Sequence, residues 1–375
     1  MSKKKLKVKI QKFGIINQIL DKFKKTAAKS QLILLVLALS VAVFCLVYLW
    51  SRLKSEPGLD ISNQDQPSSA MVGDGLARHL DGVLVAEGEE NLTPIAVMID
   101  NHVDSWPLAA LTKAQLVYEA PAEGGLSRIL AIYSPADDLP KIGPVRSARP
   151  YFVDWAKELG AIYIHCGGSP EALSDIQKEY ADFDVNEFYQ GEYFWRDDNR
   201  ARPHNVFTSS KLMASYQTKK ELTKSADFIP WQFADDAPLS SNPSQQPFVS
   251  FNYSTYPQYQ IKWLYNSDDN NYQRLMGGTE FKDSDNQLVT AKNIIIQFVK
   301  SEILDAVGRR RLTLIGQGEI LIIQNGVNRA GTWQKPDDKT RTKFYYQDGS
   351  EVKFVRGTTW VQVLPVGWEI LTINN

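Results

Sequence analysis

Cysteine is scarce: the 375-residue chain has two, Cys45 and Cys166. Cys45 sits inside an apolar run, so residues 51–375 hold a single thiol, close no internal disulfide and rest on their core. Cys166 itself reads as a small buried hydrophobe in preference to a reactive nucleophile. Histidine is equally sparse, with four in all, and none has the His-Glu-x-x-His spacing of a zinc hydrolase. A Gly-x-Ser-x-Gly elbow and a Walker loop are missing too. The segment "DSDNQ" lacks the glycine and the final glutamate of a calcium loop. No stretch recurs with the 20–50-residue period of a repeat protein.

What the chain does have is an uneven charge. Residues 1–30 carry ten lysines against one acid, Asp21, which is +9; with a net charge of −1 overall, the rest of the chain carries −10. A basic tail alone suits nucleic acid or membrane. The next segment, "QLILLVLALSVAVFCLVYLW" (residues 31–50), has no charge and as a helix spans about 30 Å, the thickness of a bilayer core. Lysines before it place the N-terminus in the cytoplasm and the bulk of the chain outside. The partner expected is therefore a membrane, with no nucleic acid. A cleaved signal peptide is the competing reading, but the run is long for one and no small-x-small site ends it. An uncleaved single-pass anchor is the expectation.

Residues 51–84 are polar and rich in Ser, Pro, Gly and Asp, as in a flexible linker. From 85 to 237 short apolar runs alternate with helical spacing. "TPIAVMID", "AQLVYEA" and "LSRILAIYS" read as strands, the last two joined through Gly124–Gly125. "PYFVDWAKELG" has helical periodicity with Gly160 as a stop; "AIYIHC" is a strand; "GGSPEALSDIQKEY" gives Ser169 as N-cap and Pro170 at the first helical position. This pattern predicts an α/β domain, a mixed sheet with flanking helices. A linker at 238–247 follows. Residues 248–372 then turn to β-branched and aromatic strands, with Asn325–Gly326 and Asp348–Gly349 as turns, which predicts a separate β-rich domain. Trp263, Tyr265, Trp333, Tyr345 and Trp360 could form a glycan-stacking face, but core packing is expected for most of them.

The stretch "KIGPVRSARPYF" raises a local question. Pro150 suits the first turn of a helix, which puts Arg149 at the cap, where the backbone is already electropositive. A second junction, "HCGGSP", exposes another helix start, and such N–H groups with Gly167, Gly168 and Ser169 make an anion cradle. Arg146 and Arg149 add guanidinium donors, Arg128 lies nearby in sequence, and "WRDDNRARPHN" contributes Arg196, Arg200 and Arg202 as a candidate lid. Asp100 and Glu119 are candidate metal carboxylates, with Mg²⁺ the cofactor that would suit them beside a phosphate, though nothing in the sequence requires it. Asp100 and His204 are the candidate catalytic groups. Two readings stand: these arginines hold a bound anion, or they pair internally with Asp100, Glu119 or Glu123.

The blocks "PIAVMIDNH", "AQLVYEAPAEGGLSRILAIY", "KIGPVRSARPYFVDWAKELGAIYIHCGGSPEAL" and "RPHNVFTS" resemble the YerB-like lipoprotein family, domain of unknown function 3048. "GRRRLTLIGQGEILIIQNG" and the segment from "GTWQKPDD" to "TTWVQVLP" are similar to that family's C-terminal domain. The resemblance runs over residues 85–370 and implies a two-part architecture and an envelope location, with no reaction attached. The chain departs from lipoprotein members at Cys45, where Phe44 replaces the small residue expected before a lipidated cysteine. A weaker pattern, Asp100 followed by Arg128, Arg146 and Arg149, is similar to the LytR–CpsA–Psr phosphotransferases, which hold Mg²⁺ and a polyprenyl pyrophosphate. Three functions follow as expectations: an envelope protein binding a phosphorylated glycan or lipid-linked precursor, a Mg²⁺-dependent phosphotransferase, or a non-catalytic scaffold. Whether the chain is an enzyme stays open.

Overall fold

The computed structural model describes residues 75–222, 225–236 and 248–374. The basic tail, the apolar run 31–50 and the 238–247 linker lie outside the described residues. Among the described residues, no helix is long and apolar enough to cross a membrane.

Ten strands form one sheet: β1 (Ile95–Ile99), β2 (Leu116–Pro121), β3 (Ser127–Tyr133), β4 (Ile162–His165), β5 (Asp184–Asn186), β6 (Asn293–Val299), β7 (Gly316–Gln324), β8 (Val327–Lys335), β9 (Lys343–Tyr346) and β10 (Thr359–Pro365). Their spatial order is β9-β8-β7-β6-β10-β2-β3-β1-β4-β5. The sheet is mixed. β10 pairs in parallel with both β6 and β2, and β1 pairs in parallel with β4. β1 and β2 each run antiparallel to β3.

The three α-helices among the described residues are α1 (Pro150–Lys157), α2 (Pro170–Glu179) and α3 (Ser210–Lys219). Local chemistry sets two of their starts as the sequence predicts. Arg149 caps α1 in extended geometry with Pro150 at the first position, and the Ser169 hydroxyl accepts from Ala172 N–H at the start of α2. Asn325 and Gly326, both at positive φ, turn β7 back into β8, as an Asn-Gly hairpin requires.

Alternation along each strand divides the core into two layers. Ile95, Val97 and Ile99 face one side, with Val249, Phe251, Ile261 and Trp263 of a second, antiparallel sheet. Ala96 and Met98 face the other, under Tyr151, Phe152 and Trp155 of α1. Trp263, Trp333 and Trp360 are buried core residues, as expected.

Two sequence expectations need correcting. The β-rich half is not a separate domain: β6–β10 extend the sheet that holds β1–β5, six other strands of that half form the second, antiparallel sheet packed on it, and residues 72–375 form one compact unit. Every residue of β2 and of β10 is buried, so each needs a neighbour on both edges. The ordered fold also begins before residue 85. Leu76–Ala77 pairs with Leu84–Val85, Leu80 is buried, and Asp81 binds Arg78 at 2.7 Å.

Two ion pairs, entirely buried, join the halves. Glu119 on β2 meets Arg274 at 3.0 Å with both side chains at 0% exposure. Glu158, just past α1, meets Lys335 of β8 at 2.8 Å. Glu119 also accepts from Asn101, Ser127 and the Trp360 indole. The Arg274 guanidinium lies over Trp360 and Trp263, at 4.7 and 5.3 Å from the ring centres, so rings cover nitrogens that carry no hydrogen bond. Removing one partner strands a charge in the core. Arg274→Ala is expected to cost about 3–5 kcal/mol, while the double replacement Glu119→Leu/Arg274→Met restores most of that loss; denaturant unfolding measures both.

Candidate functional site

β1, β2 and β4 point the same way, so their carboxyl ends share one sheet edge, and β3 begins there. That edge is where ligands meet α/β sheets. It carries Asp100 after β1, Glu123 after β2, Arg128 at the start of β3 and Cys166 after β4. The segment 142–148 runs along it, held by Asp100 N–H to Pro144 O (2.9 Å), Arg146 N–H to Met98 O (2.9 Å) and Ala148 N–H to Gly167 O (2.9 Å). Arg146 and Arg149 thereby reach the same edge.

The arginines divide between two carboxylates. Arg149 grips Glu123 with Nε and Nη2, the latter at 2.7 Å; Arg128 Nη2 lies 3.9 Å from the same carboxylate. This answers the oddity of a cation at the α1 cap: Glu123 supplies the acid. Burial alone would raise the Glu123 pKa, but the bond and charge of Arg149, with Arg128, hold it below the ordinary 4.5. Arg128 moves the other way, down to about 10, because burial and the neighbouring Arg149 and Arg146 outweigh Glu123.

Arg146 Nε stands 3.0 Å from Asp100 Oδ2, yet it forms no hydrogen bond; the contact is one of charge. Its side chain is 24% exposed against 12% for Arg149 and 11% for Arg128. Asp100 Oδ2 also meets His204 Nδ1 at 2.6 Å, and Oδ1 accepts from His102 N–H. A carboxylate only accepts, so His204 Nδ1 is the donor in this bond and Nε2 is the ring nitrogen left for another partner. The His204 ring stacks on His102, centres 4.8 Å apart.

The remaining expected residues are placed as follows. Arg196 binds Glu187 (2.9 Å) and Asn205 (3.0 Å). Arg200 donates to the carbonyls of Ser105 and Pro107, which fastens the 197–205 loop to the 102–107 loop. Arg202 is exposed. The Gly167–Gly168–Ser169 turn turns its groups inward: Gly167 N–H goes to Asn186 and Ser169 N–H to Ala148 O. A Cβ at Gly167, where φ is +63°, would strike the Phe188 ring. Close packing explains this turn better than an open cradle. Glu119 does not join the edge, since Arg274 and its other partners take its oxygens at 0% exposure, and Asp100 is 4% exposed with its carboxylate likewise engaged. Neither carboxylate considered for magnesium presents an open position. The Cys166 thiol is pushed up to about 11 by burial and by Glu187, so it stays protonated at neutral pH. Glu187 and Asn205 carried no sequence signal.

Residues 80–223 match the family described as protein of unknown function (DUF3048), N-terminal domain, and residues 249–361 match its C-terminal domain. A Bacillus subtilis (strain 168) protein named "Putative lipoprotein YerB" is 30% identical over 290 residues, covering 76% of this chain and 85% of that protein. The chain belongs to the DUF3048 family. The crystal structure of the YerB protein from Bacillus subtilis superposes with a TM-score of 0.68 at 28% identity, over 77% of this chain and 96% of that one. Both DUF3048 segments contribute strands to the single ten-stranded sheet, and the N-terminal segment supplies the whole Asp100–Arg146–His204 and Glu123–Arg149 arrangement.

A carboxyl group with a lowered folded-state pKa stabilises the fold above its unfolded value and loses that contribution as pH falls through the folded one. Glu123→Gln is therefore expected to lower the melting temperature at pH 7 and to flatten its decline below about pH 4.5. Melting curves of both proteins across pH 3–7 test this; parallel acid limbs would count against it.

Proposed function

We propose that this DUF3048 protein is anchored in the cell membrane by residues 31–50, with its N-terminus in the cytoplasm and the folded part outside, and that the sheet edge binds an anionic, phosphorylated ligand. Anchoring is supported by the uncharged apolar run behind ten lysines and by similarity to a protein named a lipoprotein. A phosphorylated glycan or lipid-linked cell-wall precursor is the class of ligand such a location offers.

The observation that carries the binding reading is an imbalance of charge. Three guanidiniums, Arg128, Arg146 and Arg149, share the two carboxylates Asp100 and Glu123. Burial, with Arg149 and Arg146 beside it, lowers the Arg128 pKa to about 10, and Arg146 keeps a side chain 24% exposed beside Asp100. A phosphate would bring negative charge to the exposed part of the Arg146 side chain, and charge-assisted bonds to guanidinium are the strong ones.

The reading is tested by melting the full-length chain with pyrophosphate or an undecaprenyl-linked sugar. A ligand at 100 times its Kd adds about 2.7 kcal/mol of stability. Wild type is expected to gain that stabilisation and Arg146→Ala to lose most of it while folding normally without ligand. Absence of stabilisation in wild type at every concentration sinks the reading.

A further inference from the structure

We infer that His102, Asp104 and His204 form a binding site for one divalent transition-metal ion of the zinc class, independent of whether the arginines hold an anion. Their ligand atoms all lie within 4.8 Å of one another, although His102 and His204 are a hundred residues apart in sequence. His102 Nδ1 and Asp104 Oδ2 already stand 3.5 Å apart. Two ligands on one tetrahedral ion, each bonded at about 2.0–2.1 Å, are separated by about 3.4 Å. His102 Nδ1 accepts from Asp104 N–H at 3.2 Å, so its lone pair points outward from an unprotonated nitrogen, and an ion bound there takes the place of that hydrogen bond.

His204 is prepared in a different way. Its Nδ1–H donates to Asp100 at 2.6 Å, which fixes the ring and leaves Nε2 as the ligating nitrogen. A carboxylate behind a histidine in this manner is the usual outer support of a zinc ligand. Arg200 adds rigidity from the loop side, since its bonds to Ser105 and Pro107 carbonyls hold the two histidine-bearing loops together. The buried half of the site is thus fixed. Its outer half is the more open, with the His102 and Asp104 side chains 36% and 65% exposed; to share an ion with His204, the His102 ring turns out of its stack on that ring.

Two imidazoles and one carboxylate suit Zn²⁺, Co²⁺, Mn²⁺ or Fe²⁺ better than Mg²⁺ or Ca²⁺, which favour oxygen donors throughout. Three protein ligands leave a coordination position for water or an anionic group. The other two histidines are not comparable: His165 is buried with both nitrogens engaged, by Gly167 O and Asp184, and His79 packs edge-on against Phe228.

The test uses the full-length chain, stripped with chelator and titrated with Co²⁺ by visible absorption and with Zn²⁺ by competition against a chromophoric chelator. One equivalent of Co²⁺ with d–d bands is expected. His102→Ala, at the exposed rim, is expected to melt like metal-free wild type and to bind Zn²⁺ at least about tenfold more weakly, while Asp100→Asn weakens binding about 10–100-fold through His204. His79→Ala binds as wild type. The inference is overturned if wild type gives no cobalt bands, if His102→Ala binds like wild type, or if His79→Ala abolishes binding. Pyrophosphate stabilisation is measured on the metal-free protein, so failure of metal binding and failure of anion binding are read separately.

Discussion

The Glu119–Arg274 pair is the constraint on which the rest of the molecule hangs. A carboxylate and a guanidinium, each without solvent contact, sit where strands from the two halves of the chain meet. Neither charge survives there alone, because desolvation is repaid only by the other and by the hydrogen bonds and rings around them. Glu119 fixes Asn101, just past the end of β1, and Ser127, the first residue of β3. Asn101 in turn receives the Trp106 indole N–H. The loop carrying Asp100, His102 and Asp104 is therefore tied to an interior charge pair, and the sheet edge inherits its geometry from it.

At that edge, acids and arginines serve each other and leave a remainder. Arg149 is neutralised by a bidentate bond, Arg128 is held close but at a distance, and Arg146 is satisfied by charge without a hydrogen bond. This gradation matters more than the number of arginines. Arg149 is bound tightly to its acid, whereas Arg146, the most exposed of the three, is held by charge alone. The imidazole pair beside it has a buried member fixed by Asp100 and a half-buried member stacked on it.

How much of this was legible in the sequence depended on how local the cause was. Pro150 with Arg149 at the cap, Ser169 with Pro170, and the Asn325–Gly326 turn are decided within a few residues, and the sequence identifies them. The internal pairing of Arg146 with Asp100 and of Arg149 with Glu123 was one of two open readings, because residue types alone do not say whether a carboxylate arrives. The shared sheet was not legible: β-branched runs look alike whether they build their own sheet or extend another. Glu119 read as an edge acid because its partner, Arg274, lies 155 positions away. The stacked histidines escaped for the same reason, since metal spacing is recognisable only when both ligands occupy one element.

The parallel seam between β2 and β10 has a consequence in time as well as space. Glu119 on β2 lies opposite Gln362 on β10, so the strand that completes the first half is among the last to be made. At synthesis rates of about 5–20 residues per second, the edge of β2 waits roughly 10–50 s for its neighbour. During that interval a strand that ends fully buried has an open side, the kind of edge that recruits other chains. The two family segments are thus units of sequence description but not of folding, and a chain cut between them would leave each half exposing the strand that the other was made to cover.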